Sequence, residues 1–229
     1  LANLEIPFGN QNRALPNFIA AISDTILYLS SRQRGIAIVN ISDPSNPNYI
    51  AMVTQPAGSN YSYDGLMAHD STLYASAHEH GVILFNISSP ESPSYFGQIP
   101  TENARGTVFL DSLLIIMNGE FGFKIMNITD LSNPVTITDI LTAGATKDMI
   151  LDGDQLTVAM GSNGIARYDL SDPSDPQLLA TYNSSGLANR IVLFNGKIAV
   201  SDWLDVKILE CIYIKLKLVK LSLMVKCCT

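Results

Sequence analysis

One short motif recurs along this chain of 229 residues, and that recurrence restricts what the chain can fold into. Gly35–Pro47 reads GIAIVNISDPSNP, Gly81–Pro93 GVILFNISSPESP, Gly122–Pro134 GFKIMNITDLSNP and Gly164–Pro176 GIARYDLSDPSDP. The starts lie 46, 41 and 42 residues apart. A fifth copy is degraded: Asp205–Leu209 (DVKIL) has Asp in place of the glycine and no proline turn behind it. Upstream of each copy, two short apolar runs flank a polar turn held by Asp24, Asp70, Asp111, Asp152 or Asn195. Downstream of the first four comes one more short run: YIAMV, YFGQI, TITDI or LLATY. Each unit therefore reads as four short strands, a to d, and no stretch keeps a helical period over a useful length.

Four short antiparallel strands per unit of about 42 residues are the pattern of propeller blades. The expected fold is all-β, a β-propeller of four-stranded antiparallel blades with about five repeat units in 1–210. The units fall near 17–62, 63–103, 104–144, 145–186 and 187–210. A sandwich has no reason to repeat its sequence, and helical repeats need helices. The c strands are expected over Ile36–Ile41, Val82–Ile87, Phe123–Ile128 and Ile165–Leu170, give or take two residues. In the DPSNP turn the first proline fixes φ and the second blocks further pairing. Gly35, Gly81, Gly122 and Gly164 are expected to serve backbone geometry rather than catalysis. Val108, Leu110, Ile115 and Met117 are expected to alternate into a layer between blades.

The GIAIVNISDPSNP type of run, repeated at this spacing, resembles the LVIVD-repeat family of β-propellers over about residues 17–209. The resemblance implies a propeller of an exported or cell-surface protein. It implies no catalytic residues, and none is transferred.

The ends pose a question of closure. Leu4–Phe8 stands where a d strand would, without its own a, b and c strands, and the fifth unit lacks a d strand. Leu4–Phe8 is expected to pair outside Val206–Cys211 and close a five-bladed ring. The competing reading is a slice of a longer, six- to eight-bladed protein, with the tail as the local d strand. That tail, 211–229, alternates from Cys211 to Leu218 and carries Lys215, Lys217, Lys220 and Lys226. The lysines interrupt it too often for a membrane-spanning helix. The opening LANLEIPFGN has no basic start and no apolar run, so no signal peptide is read in it. All three cysteines, Cys211, Cys227 and Cys228, lie in the tail, so no disulfide framework is expected in the body.

Charge narrows the functional classes. Lys+Arg number 14 against 21 Asp+Glu, a net charge of -7, so nucleic-acid partners are not expected. The a–b and c–d turns share one face, and their repetition marks them as architecture. The b–c loops and d–a connections share the other face and vary between units, which is where binding belongs. Candidate binding residues there are Arg32, Arg34, His78, Glu79, His80, Arg105, Glu120, Phe121, Lys147, Asn163, Arg190 and Trp203. For the cations Arg105, Lys147 and Arg190 the plainer reading is isolated surface charge. Trp203 can stack on a sugar or a partner, but packing inward is the preferred expectation.

His78, Glu79 and His80 have a spacing that could hold a divalent metal. His69 cannot join them, because a whole b strand separates it from them, so no metal is expected. No GxSxG elbow, Cys–His pair or glycine-rich phosphate loop is present. Asp202 and Asp205 make a carboxylate pair of a kind found in any acidic protein. No cofactor is expected. The leading reading is a non-catalytic binding or scaffolding module whose partner is a protein or a carbohydrate. Two alternatives stand beside it. One is a hydrolase or lyase using Glu79, Glu120, Arg105 or His78. The other is a structural repeat segment of a larger surface protein.

Overall fold

The computed structural model of the chain describes residues 19–23, 25–30, 35–56, 59, 61–184, 186–203, 205–212 and 215–218. These residues form five four-stranded sheets, each running in chain order. The first holds β1 (Ile19–Ser23), β2 (Ile26–Ser30), β3 (Ile36–Asn40) and β4 (Asn48–Met52). The second holds β5 (Gly65–His69), β6 (Thr72–Ser76), β7 (Val82–Asn86) and β8 (Ser94–Ile99). The third holds β9 (Gly106–Leu110), β10 (Leu113–Met117), β11 (Phe123–Asn127) and β12 (Val135–Ile140). The fourth holds β13 (Asp148–Asp152), β14 (Gln155–Ala159), β15 (Ile165–Asp169) and β16 (Gln177–Tyr182). The fifth holds β17 (Ala188–Phe194), β18 (Lys197–Asp202), β19 (Asp205–Ile212) and β20 (Lys215–Leu218).

The expected c strands are β3, β7, β11 and β15, each starting where the motif places it and ending one residue sooner. The cause is a switch of hydrogen-bond partner. The amides of Ile41, Ile87, Ile128 and Leu170 donate instead to the a–b turn, at Thr25, Ser71, Ser112 and Asp154. That link sets the a–b and c–d turns side by side in the first four sheets. These c strands are buried on both faces, which is why they read as unbroken apolar runs rather than an alternation. Each carries a bulge against its d strand, after Ile38, Leu84, Ile125 and Arg167. The d strands are largely exposed.

The chain divides into two compact units, 1–107 and 108–229. The core of the first contains Tyr28, Ile36, Ile38, Tyr63, Leu73, Ile83 and Phe85. Burial pushes the Tyr28 hydroxyl up to about 12, and it donates to Pro90 O at 2.7 Å. The second unit has a core around Ile115, Met117, Phe123, Ile125, Leu156 and Val158, with Val108 and Leu110 packed against it. Phe123 and Tyr168 meet there edge to face at 5.1 Å. A further cluster gathers Ile165, Ile191, Ile198, Val200 and Leu209.

The fifth sheet takes its fourth strand from the tail. Leu209 pairs with Leu218 and Ile212 with Lys215, so β20 occupies the outer edge of β19 from 209 to 212. That is part of the edge, Val206–Cys211, that Leu4–Phe8 is expected to take. Leu4–Phe8 itself lies outside the described residues, as do Asp24, Cys227 and Cys228.

Candidate functional site

The polar half of the repeated motif builds its turns. Asn40, Asn86, Asn127 and Asp169 each accept the amide two residues on, from Ser42, Ser88, Thr129 and Ser171. Asp43, Asp130 and Asp172 then accept both the amide and the hydroxyl of Ser45, Ser132 and Ser174. These are Asx turns, in which a side chain replaces a backbone partner. The serine hydroxyls hold the carboxyls of Asp43, Asp130, Asp169 and Asp172 below the usual carboxylate range. These turn side chains are engaged in holding the turns themselves.

The b–c loops share a frame on which other residues vary. In the second, third and fourth sheets, the residue before the loop donates to a glycine after it: Ala77 to Gly81, Asn118 to Gly122 and Met160 to Gly164. Three residues lie between. The first of the three is left-handed each time: His78 at φ 53°, Gly119 at 58° and Gly161 at 60°. Two sheets use glycine there and the second uses histidine. The d–a connections fold back onto these residues. Ala104 bridges His78, Ala188 bridges Gly161, and the Thr146 amide donates to Gly119 O. The fifth loop is a residue shorter, because Asp202 pairs directly with Asp205.

In the first unit this geometry collects charged groups around Asp64, just ahead of β5. The Asp64 amide donates to Ser76 O, which anchors its backbone. Its Oδ1 lies 3.1 Å from His78 Nε2, and its Oδ2 accepts Arg105 Nη1 at 2.6 Å. Asp64 comes from the connection after the first sheet, His78 from the second loop and Arg105 from the connection after the second sheet. The carboxylate is 24% exposed and the guanidinium 38%, so the group is half-buried with water at its edge. Beside it His80 meets the Tyr61 ring edgewise at 5.0 Å, and Tyr61 meets Tyr63 at 6.1 Å. Gln98 Nε2 donates to His80 O at 2.6 Å. Glu79 is solvent-exposed, 3.8 Å from His80 Nε2.

The sequence candidates divide accordingly. His78 and Arg105 converge on one carboxylate, with His80 and Glu79 next to them. Asp64 and Tyr61 were missed. One signal was available for Asp64: it stands as far before Gly81 as Arg105 does before Gly122 and Lys147 before Gly164. One blade position thus carries an acid once and bases twice. Arg105 is not an isolated surface charge.

In the second unit Arg190 lies 3.9 Å from Asp148, whose other oxygen accepts the Ile191 amide at 2.9 Å. Burial pushes the Asp148 carboxyl above its ordinary range, against the pull of that amide and of Arg190. Lys147 and Glu120 are exposed, and Asn163 accepts a bond from Ser162 at 3.3 Å. Phe121 is half-exposed. Trp203 corrects an expectation: it is 77% exposed at φ 34°, not packed inward. With only two residues to turn, the fifth hairpin leaves it outside. Asp202 beside it is fully buried. Arg32 and Arg34 lie outside the described residues. Among the described residues, no three His, Cys, Asp or Glu side chains are grouped to hold a metal, and no helix is long and apolar enough to cross a membrane.

Residues 21–55 and 143–184 match the LVIVD repeat. These stretches cover less than half of the chain and fall on the repeats read above. No curated protein matches the chain. Among solved structures, a candidate 6-phosphogluconolactonase of Bacteroides uniformis is similar at TM-score 0.72 and 11% identity, over 90% of this chain and 70% of that one. A candidate 6-phosphogluconolactonase of Bacteroides fragilis gives 0.71 and 14%, over 90% and 69%. The WD40 repeats of RRP9 give 0.65 and 14%, over 88% and 64%. The chain spans 57% of the designed Ika8 protein and 65% of U3-55K. At such identities the likeness is one of fold: an all-β propeller arrangement of five blades.

Proposed function

We propose that this is a non-catalytic binding propeller of an exported or cell-surface protein, and that it takes a neutral carbohydrate at the group around Asp64. One observation carries the reading: Asp64 is held from two sides by His78 and Arg105 beside the Tyr61–His80 face. An acceptor and a guanidinium side by side suit the paired hydroxyls of a sugar ring, since each hydroxyl both donates and accepts. Arg105 has more donors than Asp64 uses. Aromatic faces supply the apolar contact that a sugar's C–H surface needs. The net charge of -7 disfavours polyanionic ligands. Placement outside the cell rests on the repeat and on what its resemblance implies.

The test is calorimetric titration of the purified chain with a panel of neutral oligosaccharides. Saturable binding is expected, weakened at least tenfold by Arg105→Ala and by Asp64→Asn while both variants keep a cooperative melt. A folded protein that binds nothing in the panel would leave the structural-segment reading in its place. A second reading, a hydrolase or lyase, is favoured only by the 3.1 Å contact of His78 with Asp64, the spacing of an oriented general base. Turnover of ester or lactone probes that vanishes in His78→Gly would replace binding with catalysis.

A further inference from the structure

The fifth hairpin holds a carboxylate that the fold leaves without a partner. Asp202 ends β18 at a place filled by Ala77, Asn118 and Met160 in the second, third and fourth sheets, all buried. Its side chain is also fully buried, yet neither Oδ1 nor Oδ2 accepts a hydrogen bond of ordinary geometry. Burying a charge in this way is costly unless something compensates it. Directly opposite in the register is a second carboxylate, Asp205, and like charges facing each other across strands repel. Lys207 Nζ contacts Asp205 Oδ2 at 2.6 Å, which leaves Asp205 Oδ1 also without a partner.

The neighbouring backbone makes room for the group. A Cβ on Gly186 would collide with Asp202 Oδ1 and lie 3.1 Å from Asp202 Cγ, so only glycine fits there. The same connection brings Ser184, whose hydroxyl lies 3.5 Å from Gly186 O. Asp205 and Lys207 keep 15% and 16% side-chain exposure, so the carboxylate pair reaches solvent through Asp205.

We propose that Asp202 and Asp205, with the hydroxyl oxygen of Ser184, form a site for a hard divalent cation of the calcium class. The donors are all oxygens: two carboxylates and a hydroxyl. That chemistry suits calcium and not zinc, which takes nitrogen and sulfur. Two carboxylates beside a lysine make a weak site, in the range of about 10⁻⁴–10⁻³ M found in extracellular modules. Burial and the charge of Asp205 also push the Asp202 carboxyl above its usual range, against Lys207 and the dipoles of Ser184 and Gly186, so a proton is the rival occupant. The inference does not depend on the carbohydrate reading.

Trp203, the single tryptophan, adjoins Asp202 and provides the readout. Terbium, a calcium mimic, should give luminescence excited through Trp203, and calcium should quench it by displacement. In thermal melts of the full chain at pH 7.5, about 10 mM CaCl₂ should raise the Tm by several degrees over the same ionic strength of NaCl with EDTA. Asp202→Asn should abolish both effects and Asp205→Asn should weaken them. If Asp202→Asn does not fold, Asp205→Asn alone decides between the outcomes. Equal melts with and without calcium, combined with no sensitised terbium emission, would overturn the proposal. A Tm that rises on acidification and ignores calcium would give the site to a proton instead.

Discussion

The second and fifth sheets each hold a carboxylate by the b–c loop, and the two are handled in opposite ways. Asp64 approaches its loop from the preceding connection, half-exposed, with one oxygen on the Arg105 guanidinium and the other facing the His78 ring. Asp202 ends the strand that leads into its own loop, fully buried, with neither oxygen accepting a hydrogen bond of ordinary geometry. The second loop keeps the three-residue frame of its neighbours, and the fifth has lost a residue. Variation inside an intact frame places a paired group at the water's edge, where a ligand can share its partners. Variation that shortens the frame turns a tryptophan outward and a charge inward.

The largest expected effect tests the frame. Gly81 closes the second loop at φ 70°, where a Cβ would strike Ile99 O and lie 2.8 Å from Thr101 N. Gly81→Ala meets both left-handed strain and a backbone clash, and should cost about 3 kcal/mol or more. Asp205 closes the shortened hairpin, and Asp205→Ala should stay within about 1 kcal/mol, since losing the Lys207 contact and relieving Asp202 oppose each other. Denaturant titration measures both. Equal costs at the two positions would erase the distinction between the frames.

Next comes a difference of sign. Asp64→Asn should lower stability by about 1 kcal/mol, because it weakens a paired, partly exposed carboxylate. Asp202→Asn, measured in EDTA at pH 7, should raise stability by about 1–2 kcal/mol by removing a buried, unpaired charge. The pH dependence follows. The folded pKa of Asp202 lies above its unfolded value, so the stability it contributes is complete below about pH 3.9 and is lost as pH rises through the folded value. The advantage of Asp202→Asn should therefore be small in acid and grow toward neutrality. The turn residues Asp43, Asp130, Asp169 and Asp172 behave oppositely: their contribution is present above the unfolded pKa and is lost as pH falls through the lowered folded values. They are common to both proteins and cancel in the difference. An advantage that shrinks toward pH 7 would show that Asp202 is compensated.

These contrasts mark how far the sequence could be read. The strands were legible because the first four blades repeat the same local solution: a glycine, an apolar run and an Asx turn of the NISD type. Local rules suffice for such elements. The pairing of Asp64 with His78 and Arg105 was not, because it joins two connections and a loop from three places in the chain. Arg105 and His78 could be named as candidates, but nothing local said that they meet. Trp203 went astray for a related reason. Its exposure follows from a one-residue shortening visible only in the register of Asp202 against Asp205. The β20 pairing was legible as alternation from Cys211 to Leu218, but the choice between it and Leu4–Phe8 lay in long-range pairing.

The smallest expected effect separates structure from recognition at His78. Histidine at φ 53° occupies a conformation that Gly119 and Gly161 supply without strain at the matching positions. His78→Gly removes about 1 kcal/mol of left-handed strain. It adds about 0.5–1 kcal/mol of unfolded-chain entropy and forfeits up to about 1 kcal/mol from the half-exposed contact with Asp64. The net change in stability should be a loss under about 1 kcal/mol. His78→Ala loses the same contact but keeps a Cβ in the left-handed position, so it should be the less stable of the two by up to about 0.5 kcal/mol. Sugar affinity should fall alike in both, because each removes the imidazole from Asp64. Paired melts and titrations of the two variants check this. If His78→Gly were clearly the less stable variant, the left-handed histidine would carry less strain than glycine's entropy costs, and its presence where neighbouring sheets use glycine would be no argument for a site.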